Sequence, residues 1–180
     1  VINQWIKGHV DPWWKHEHRD LDYHNEPFNN PADLDRWRKM GYTHTKFTGD
    51  MYDMRNPAPK GFDIDRLQEH FNFEHLSWSF YKMTTGTVLP EHVDTFKRFK
   101  TLHDCEGKII VRALVMLEDW KPGHYLDLAV LNMNPLSAGD YAICEEPVPH
   151  SASNIGIEDR YTLQITGLIN ERLIDWDSRR

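Results

Sequence analysis

The chain predicts a mainly β protein, a small antiparallel barrel with helices on its N-terminal side. Three observations carry this. At 180 residues, 39% hydrophobic and 12% aromatic, the chain has material for one packed core. Strand-like runs follow one another from about Ser77 to Gly167, separated by glycine-bearing turns, whereas two helical patterns lie in the residues before them. The interval from Asp94 to His150 is long enough for several strands of such a barrel.

The elements follow in order. From Val1 to about Pro59 the chain is rich in aromatics, histidines and acids. Within it, Asn30 to Tyr42 reads as a short helix, with proline near its start, acids early, basic residues late and Gly41 as its stop. Met54 to Gly61 reads as a loop. Phe62 to Phe71 reads as a second helix, with Ile64, Leu67, His70 and Phe71 on one face. Both helices are expected to brace the outside of one sheet. Trp13 and Trp14 are expected to pack an edge of the barrel or shape its entrance. His16 and His18 lack a third ligand at a recognisable spacing, so they do not make a metal site.

Inside the barrel, His92-Val93-Asp94 stands out. In an extended strand His92 and Asp94 project to the same face, with Val93 turned into the other layer. His150, from another strand brought alongside, would complete a group of two imidazoles and one carboxylate. Such a group binds one face of an octahedral ferrous ion and leaves three positions open. The bare triplet is equally a surface histidine beside a solvated aspartate; His150 and Arg160, each on a strand-like segment, favour the metal. Arg160 opens Asp159 to Thr166, which alternates like a half-buried strand pairing back beside the one that carries His150. Its guanidinium would share the inner face with Thr162, Gln164 and Thr166, and a buried arginine needs an anion.

These residues resemble a family, the 2-oxoglutarate and Fe(II)-dependent oxygenases of the prolyl-hydroxylase-like and aspartyl-hydroxylase-like kind. The resemblance runs from about Ser77 to Gly167. Leu89 to Asp94 looks like the strand with the first two iron ligands, Ala113 to Leu126 like the central hairpin, and Ser137 to Ile143 like a Gly-Asp turn and the strand after it. Pro149 to Asn154, closing on Arg160 to Leu163, is similar to the segment with the distal histidine and the basic residue for the cosubstrate. Prolyl hydroxylases commonly place lysine where this chain has Arg160 and read Gly-Gly where it has Gly123-His124. Aspartyl hydroxylases often lack the carboxylate of Asp94. The mixture leaves the substrate open.

The resemblance implies a double-stranded β-helix, the jelly-roll or cupin-like barrel. It implies Fe(II) held by His92, Asp94 and His150, with 2-oxoglutarate chelating the iron and its distal carboxylate on Arg160, helped by a hydroxyl such as Thr162 or Tyr81. The implied reaction is that of a dioxygenase: O2 is consumed, 2-oxoglutarate gives succinate and CO2, and an unactivated C–H bond of an amino-acid or peptidyl substrate is hydroxylated. Three further residues are candidates for substrate contact. Arg112 interrupts an apolar run and faces either the pocket or the outside. His124 lies by the hairpin turn, facing the pocket or solvated. Asn154 either reaches a ligand or begins the turn Asn154-Ile155-Gly156.

Composition bounds the rest. A formal charge of −7 argues against a nucleic-acid partner, which needs a basic stripe; Lys97-Arg98-Phe99-Lys100 is expected as a solvated loop beside the entrance. Cys105 and Cys144 lack zinc-type spacing and are expected as free thiols. No apolar run approaches the roughly 20 residues of a membrane span and no secretory h-region opens the chain, so a soluble cytoplasmic protein is expected. The expected organisation is one oxygenase domain over 1–180: a helical and loop support region (1–75), the β-helix core (76–168) and a C-terminal tail (169–180) that is helical or frayed. Oligomeric state stays open. Two other readings stand beside the oxygenase: a cupin-type metalloprotein without 2-oxoglutarate turnover, and a noncatalytic β-barrel binding module.

Overall fold

The computed structural model describes residues 5–43, 46–128, 131–132 and 135–178. Eleven strands and four helices follow in chain order: β1 (Trp5–His9), β2 (His24–Asn25), α1 (Pro31–Lys39), β3 (Asp50–Asp53), α2 (Ile64–Phe71), β4 (Glu74–Met83), β5 (Thr87–His92), α3 (Lys97–Leu102), β6 (Ile109–Met116), β7 (His124–Leu128), β8 (Leu131–Asn132), β9 (Asp140–Glu145), β10 (His150–Asn154), β11 (Arg160–Ile169) and α4 (Leu173–Asp177). They form a seven-stranded sheet, in the order β1-β9-β6-β11-β4-β3-β2, and a four-stranded sheet, β5-β10-β7-β8. All ladders are antiparallel. This is the mainly β jelly-roll arrangement that the sequence predicts.

The period of two along each strand sorts the residues between two cores. On the outer face of the larger sheet Phe80, Val111, Ala113, Val115, Leu163 and Ile165 are buried, covered by Leu67 and Phe71 of α2 and Leu173 of α4. On its inner face Tyr81, Met83, Leu114 and Met116 meet Leu126, Leu128 and Ala152 of the smaller sheet. Farther along that inner face Ile110 and Leu168 pack on Phe99 of α3.

The helices end where their caps put them. Asn30 caps α1, its side chain accepting from the Ala32 amide at 3.2 Å, with Pro31 in the first turn. Asp63 caps α2 by accepting from the Arg66 amide at 3.1 Å, and Asn72 closes it in the left-handed region. Helix α2 braces the larger sheet as expected. Helix α1 does not: its Trp37 packs against Phe28, Phe47 and His92, at the edge of the smaller sheet.

Several local expectations are corrected. β6 and β7 are not a hairpin, because β6 pairs in the larger sheet and β7 in the smaller. β11 does not pair beside the strand of His150; it lies between β4 and β6 in the opposite sheet, so the turn after Asn154 crosses between layers. Residues 97–102 are a helix, anchored by buried Phe99, rather than a loop. The N-terminal support region contributes β1, β2 and β3 to the larger sheet besides its helices. At the end where chains cross, Gly123 and Gly156 let two loops touch: a Cβ on Gly123 would lie 2.2 Å from the Gly156 nitrogen. Cys105 and Cys144 are free thiols, and no described helix is long and apolar enough to cross a membrane.

Candidate metal centre

His92 ends β5 and His150 begins β10, and the two are direct partners in the ladder between them. The register shifts between His150 and Ala152, a bulge of the kind that re-aims a side chain. Each imidazole is fixed by the same local device. Nδ1 of His92 donates to the Pro90 carbonyl at 3.0 Å, and Nδ1 of His150 donates to the Val148 carbonyl at 3.0 Å. A carbonyl only accepts, so the proton sits on Nδ1 and both Nε2 lone pairs are free for an electrophile. The ring edges of Phe28 and Trp37, with centroids 5.4 and 6.0 Å from His92, wall it from water.

Asp94 joins them from just past the end of β5, in irregular backbone rather than on the strand itself. Its Oδ1 is 3.6 Å from Nε2 of His92 and its Oδ2 is 3.9 Å from Nε2 of His150. Ligand atoms of all three residues lie within 4.8 Å of one another. A first-row cation with bonds of about 2.1 Å fits between donors roughly 3–4 Å apart. The donor set is hard enough for Fe(II) and contains no thiolate.

No ladder bond holds Asp94, and Arg112 takes that part. Its guanidinium donates to Asp94 Oδ2 and to Thr166 Oγ1, the latter at 3.2 Å, and stacks 4.5 Å over the Phe96 ring. Of its two predicted directions, Arg112 therefore faces inward. Burial opposes ionisation of Asp94, but the charge of Arg112 and the neighbouring imidazoles outweigh it and hold the carboxyl well below the usual carboxylate range. Burial depresses the pKa of His150, against the pull of Asp94, which keeps the imidazole neutral at pH 7. A neutral imidazole and an ionised carboxylate are the forms a cation requires.

Arg160 projects between the sheets from the first position of β11 and is 6% exposed. It donates to the Tyr125 carbonyl at 2.5 Å and lies 5.8 Å from the Trp120 ring centroid. Its Nε is buried with no hydrogen-bond partner, and no carboxylate among the described residues pairs with it. Burial lowers its pKa to about 10, so the group stays cationic. Thr162 is buried two residues on, paired in the ladder with Tyr81. The Tyr81 hydroxyl accepts from the Gly49 amide at 2.5 Å and keeps its own proton to donate. Burial raises its pKa.

His124 and Asn154 are not brought to this cluster. They pair with each other at the far end of the ladder between β7 and β10, whereas His150 pairs with Leu128 at the near end. His124 is buried rather than solvated and donates from Nε2 to the Glu158 carbonyl at 3.0 Å. Asn154 is 0% exposed; its amide donates to the Met83 and Glu158 carbonyls, each at 2.8 Å, and its oxygen accepts from the Gly156 amide. That uses its donors and an acceptor on the chain itself, the turn role of its two readings.

Three contributions escaped sequence reading: Arg112 as the partner of Asp94, Trp37 and Phe28 as the wall of His92, and Trp120 beside Arg160. Only the alternation of β6, which puts Arg112 in phase with Leu114 and Met116, was a usable signal. Elsewhere, His18 is fully buried against Glu118 at 2.8 Å, and Trp14 donates to the Leu117 carbonyl on the outer face. The surface group His24, Glu26 and Asp53 is held together by Arg55.

Fold and donors together define a double-stranded β-helix protein with two histidines and one aspartate clustered at one end of the β5–β10 ladder. Among solved structures, the chain is similar to a Pseudomonas putida prolyl-4-hydroxylase (TM-score 0.56, 16% identity, 91% of each chain covered). It is also similar to a viral collagen prolyl hydroxylase from Paramecium Bursaria Chlorella virus-1, solved with 2OG (TM-score 0.54, 12% identity, 92% of this chain and 97% of that one). A third is the non-heme alpha-ketoglutarate-dependent epimerase SnoN of nogalamycin biosynthesis (TM-score 0.52, 13% identity, 91% and 77%). At such identities the likeness establishes the fold. No family profile matches the chain, and no curated protein matches it in sequence.

Proposed function

We propose that this protein is an Fe(II)- and 2-oxoglutarate-dependent dioxygenase that hydroxylates an unactivated C–H bond of an amino-acid or peptidyl substrate. One observation carries the reading: a buried guanidinium without a carboxylate partner among the described residues stands on the inner face of the larger sheet, where buried Tyr81 senses both its charge and that of Asp94, the carboxylate on which two imidazole Nε2 atoms converge. A metal site alone gives no reason to bury Arg160, and an anionic cosubstrate does. His92, Asp94 and His150 would hold the metal, and Arg160, with Thr162 or Tyr81 donating, would hold the distal carboxylate of 2-oxoglutarate. When bound there, iron and 2-oxoglutarate would supply the oxidising chemistry, consuming O2 and giving succinate, CO2 and the hydroxylated product. The chain itself orients the imidazoles through Pro90 and Val148, keeps Asp94 ionised through Arg112, and excludes water with Phe28, Trp37 and the apolar inner core. Residues 1–180 would act as one oxygenase domain.

The test is anaerobic reconstitution with Fe(II) and 2-oxoglutarate, then exposure to O2. Succinate formation that depends on both is expected. Metal binding without succinate would leave a cupin-type metalloprotein, and no Fe(II) affinity would leave a noncatalytic barrel.

A further inference from the structure

The smaller sheet covers only one half of the larger sheet's inner face, where Tyr81, Met83, Leu114 and Met116 lie. Between that half and the patch at Ile110 and Leu168 that α3 covers lies a groove of about 1220 Å³ that meets the metal cluster at Arg112 and Phe96. Small-molecule pockets usually span about 300–1,000 Å³, so the groove exceeds what a free amino acid requires. Its floor is formed by Ser77 and Ser79 of β4 and Gln164 and Thr166 of β11. The other faces of the same strands carry Phe80, Leu163 and Ile165, so the polarity belongs to the groove and not to the strands. Each floor side chain both donates and accepts, as a peptide backbone does. The Ser79 hydroxyl is buried without a hydrogen-bond partner.

One rim is α3. Lys100 there is paired with Glu146 at 2.5 Å, whereas exposed Lys97 and Arg98 have no ion-pair partner among the described residues; Arg98 acts on Asp53 only at longer range. On the opposite rim Arg55 pairs with both Glu26 and Asp53, which offsets one of the two negative charges there. The groove's lining still carries more basic than acidic side chains, with the excess on α3, in a chain of net charge −7. A nucleic-acid strand would need exposed aromatic faces to stack its bases. Here the Phe96 face is covered by Arg112, and Phe99 and Trp78 are buried.

We infer that the groove binds an extended polypeptide with acidic side chains beside the residue to be hydroxylated, read by Lys97 and Arg98. This deepens the oxygenase reading and rests on it for the chemistry, but binding is measurable without iron or cosubstrate. The test is fluorescence anisotropy on the full chain with labelled dodecapeptides that are Glu-rich, Gln-rich or Lys-rich, and with an oligo(dT) of equal length. The Glu-rich peptide is expected to bind about tenfold tighter than the Gln-rich one at low salt, a margin that shrinks as salt screens the rim. Lys97→Glu/Arg98→Glu should abolish the margin and the milder Lys97→Gln/Arg98→Gln reduce it. Lys7→Glu/Lys15→Glu, the same charge change at exposed positions outside the groove, should preserve it. Equal affinity for Glu-rich and Gln-rich peptides, insensitivity to both α3 double variants, or tighter binding of oligo(dT) would each overturn the inference. Acidic-peptide binding without succinate formation would instead refute the oxygenase reading alone, and succinate formation without a charge preference would refute this one alone.

Discussion

His92 and His150 face each other as direct ladder partners, ring centroids 4.2 Å apart, although most of the barrel separates them in sequence. Each ring is tied by Nδ1 to a carbonyl two residues before it, so the β5–β10 register alone aims both Nε2 atoms at one point.

Removing a ligand should therefore remove the metal and spare the fold. His92→Ala, Asp94→Ala and His150→Ala are each expected to weaken Fe(II) or Mn(II) binding by more than about a hundredfold, beyond the usual cost of losing an outer-shell partner. Anaerobic titration calorimetry reads this directly. An Asp94→Ala protein that keeps full turnover at limiting iron would strike Asp94 from the ligand set.

Arg160→Ala should separate cosubstrate from metal. Losing one charge-assisted contact of about 1.5–3 kcal/mol weakens 2-oxoglutarate binding roughly ten- to a hundredfold. Metal affinity should stay within a few-fold of wild type. A parallel fall in both would make Arg160 a structural residue.

Asn154→Ala should cost stability instead. It removes a donor from the Met83 carbonyl, the acceptor of the Gly156 amide and one of the two donors to the Glu158 carbonyl, the other being His124, for an expected loss of about 2–3 kcal/mol in chemical denaturation. Because Asn154 lies at the far end of β10 from His150, metal affinity should barely change. Loss of ligand binding with unchanged stability would restore it as a contact residue.

Stability should fall in acid through the cluster at Glu118. Burial opposes its ionisation, but hydrogen bonds from Arg19, His18 and Lys121 prevail and bring its pKa from 4.5 to about 2. The unfolded chain thus takes up this proton first, so the stabilisation is complete above pH 4.5 and is lost as pH falls toward 2. Burial lowers the pKa of His18 from 6.5, which adds a loss of the same sign on acidification below that value. Glu118→Gln should cost on the order of 2 kcal/mol at neutral pH, and the gap should narrow in denaturation curves taken near pH 3. A gap independent of pH would mean that Glu118 acts through packing.

Local chemistry made much of this legible. Alternation announced β11, the order of proline, acids, bases and Gly41 announced α1, and the shared face of Ile64, Leu67 and Phe71 announced α2, because side-chain period and end chemistry are local. The register of β1, β2 and β3 was not legible: these strands are short or lie in segments without clean alternation, and they form only because the edges of a larger sheet accept them. The basic run 97–100 hid a helix for a similar reason, since one buried residue, Phe99, carries its packing.

By itself the chain determined the fold class, the nomination of His92, Asp94, His150 and Arg160, and the inner face that Arg160 shares with Thr162, because side-chain type and a period of two are local properties. The tertiary structure alone decided which sheet each strand joined, that Arg112 clasps Asp94, that Asn154 and His124 lie away from the cluster, and that a groove runs along the inner face beside α3. Those outcomes depend on which strands pair across long stretches of chain, and hydrogen-bonded ladders impose that pairing without a signature at either partner.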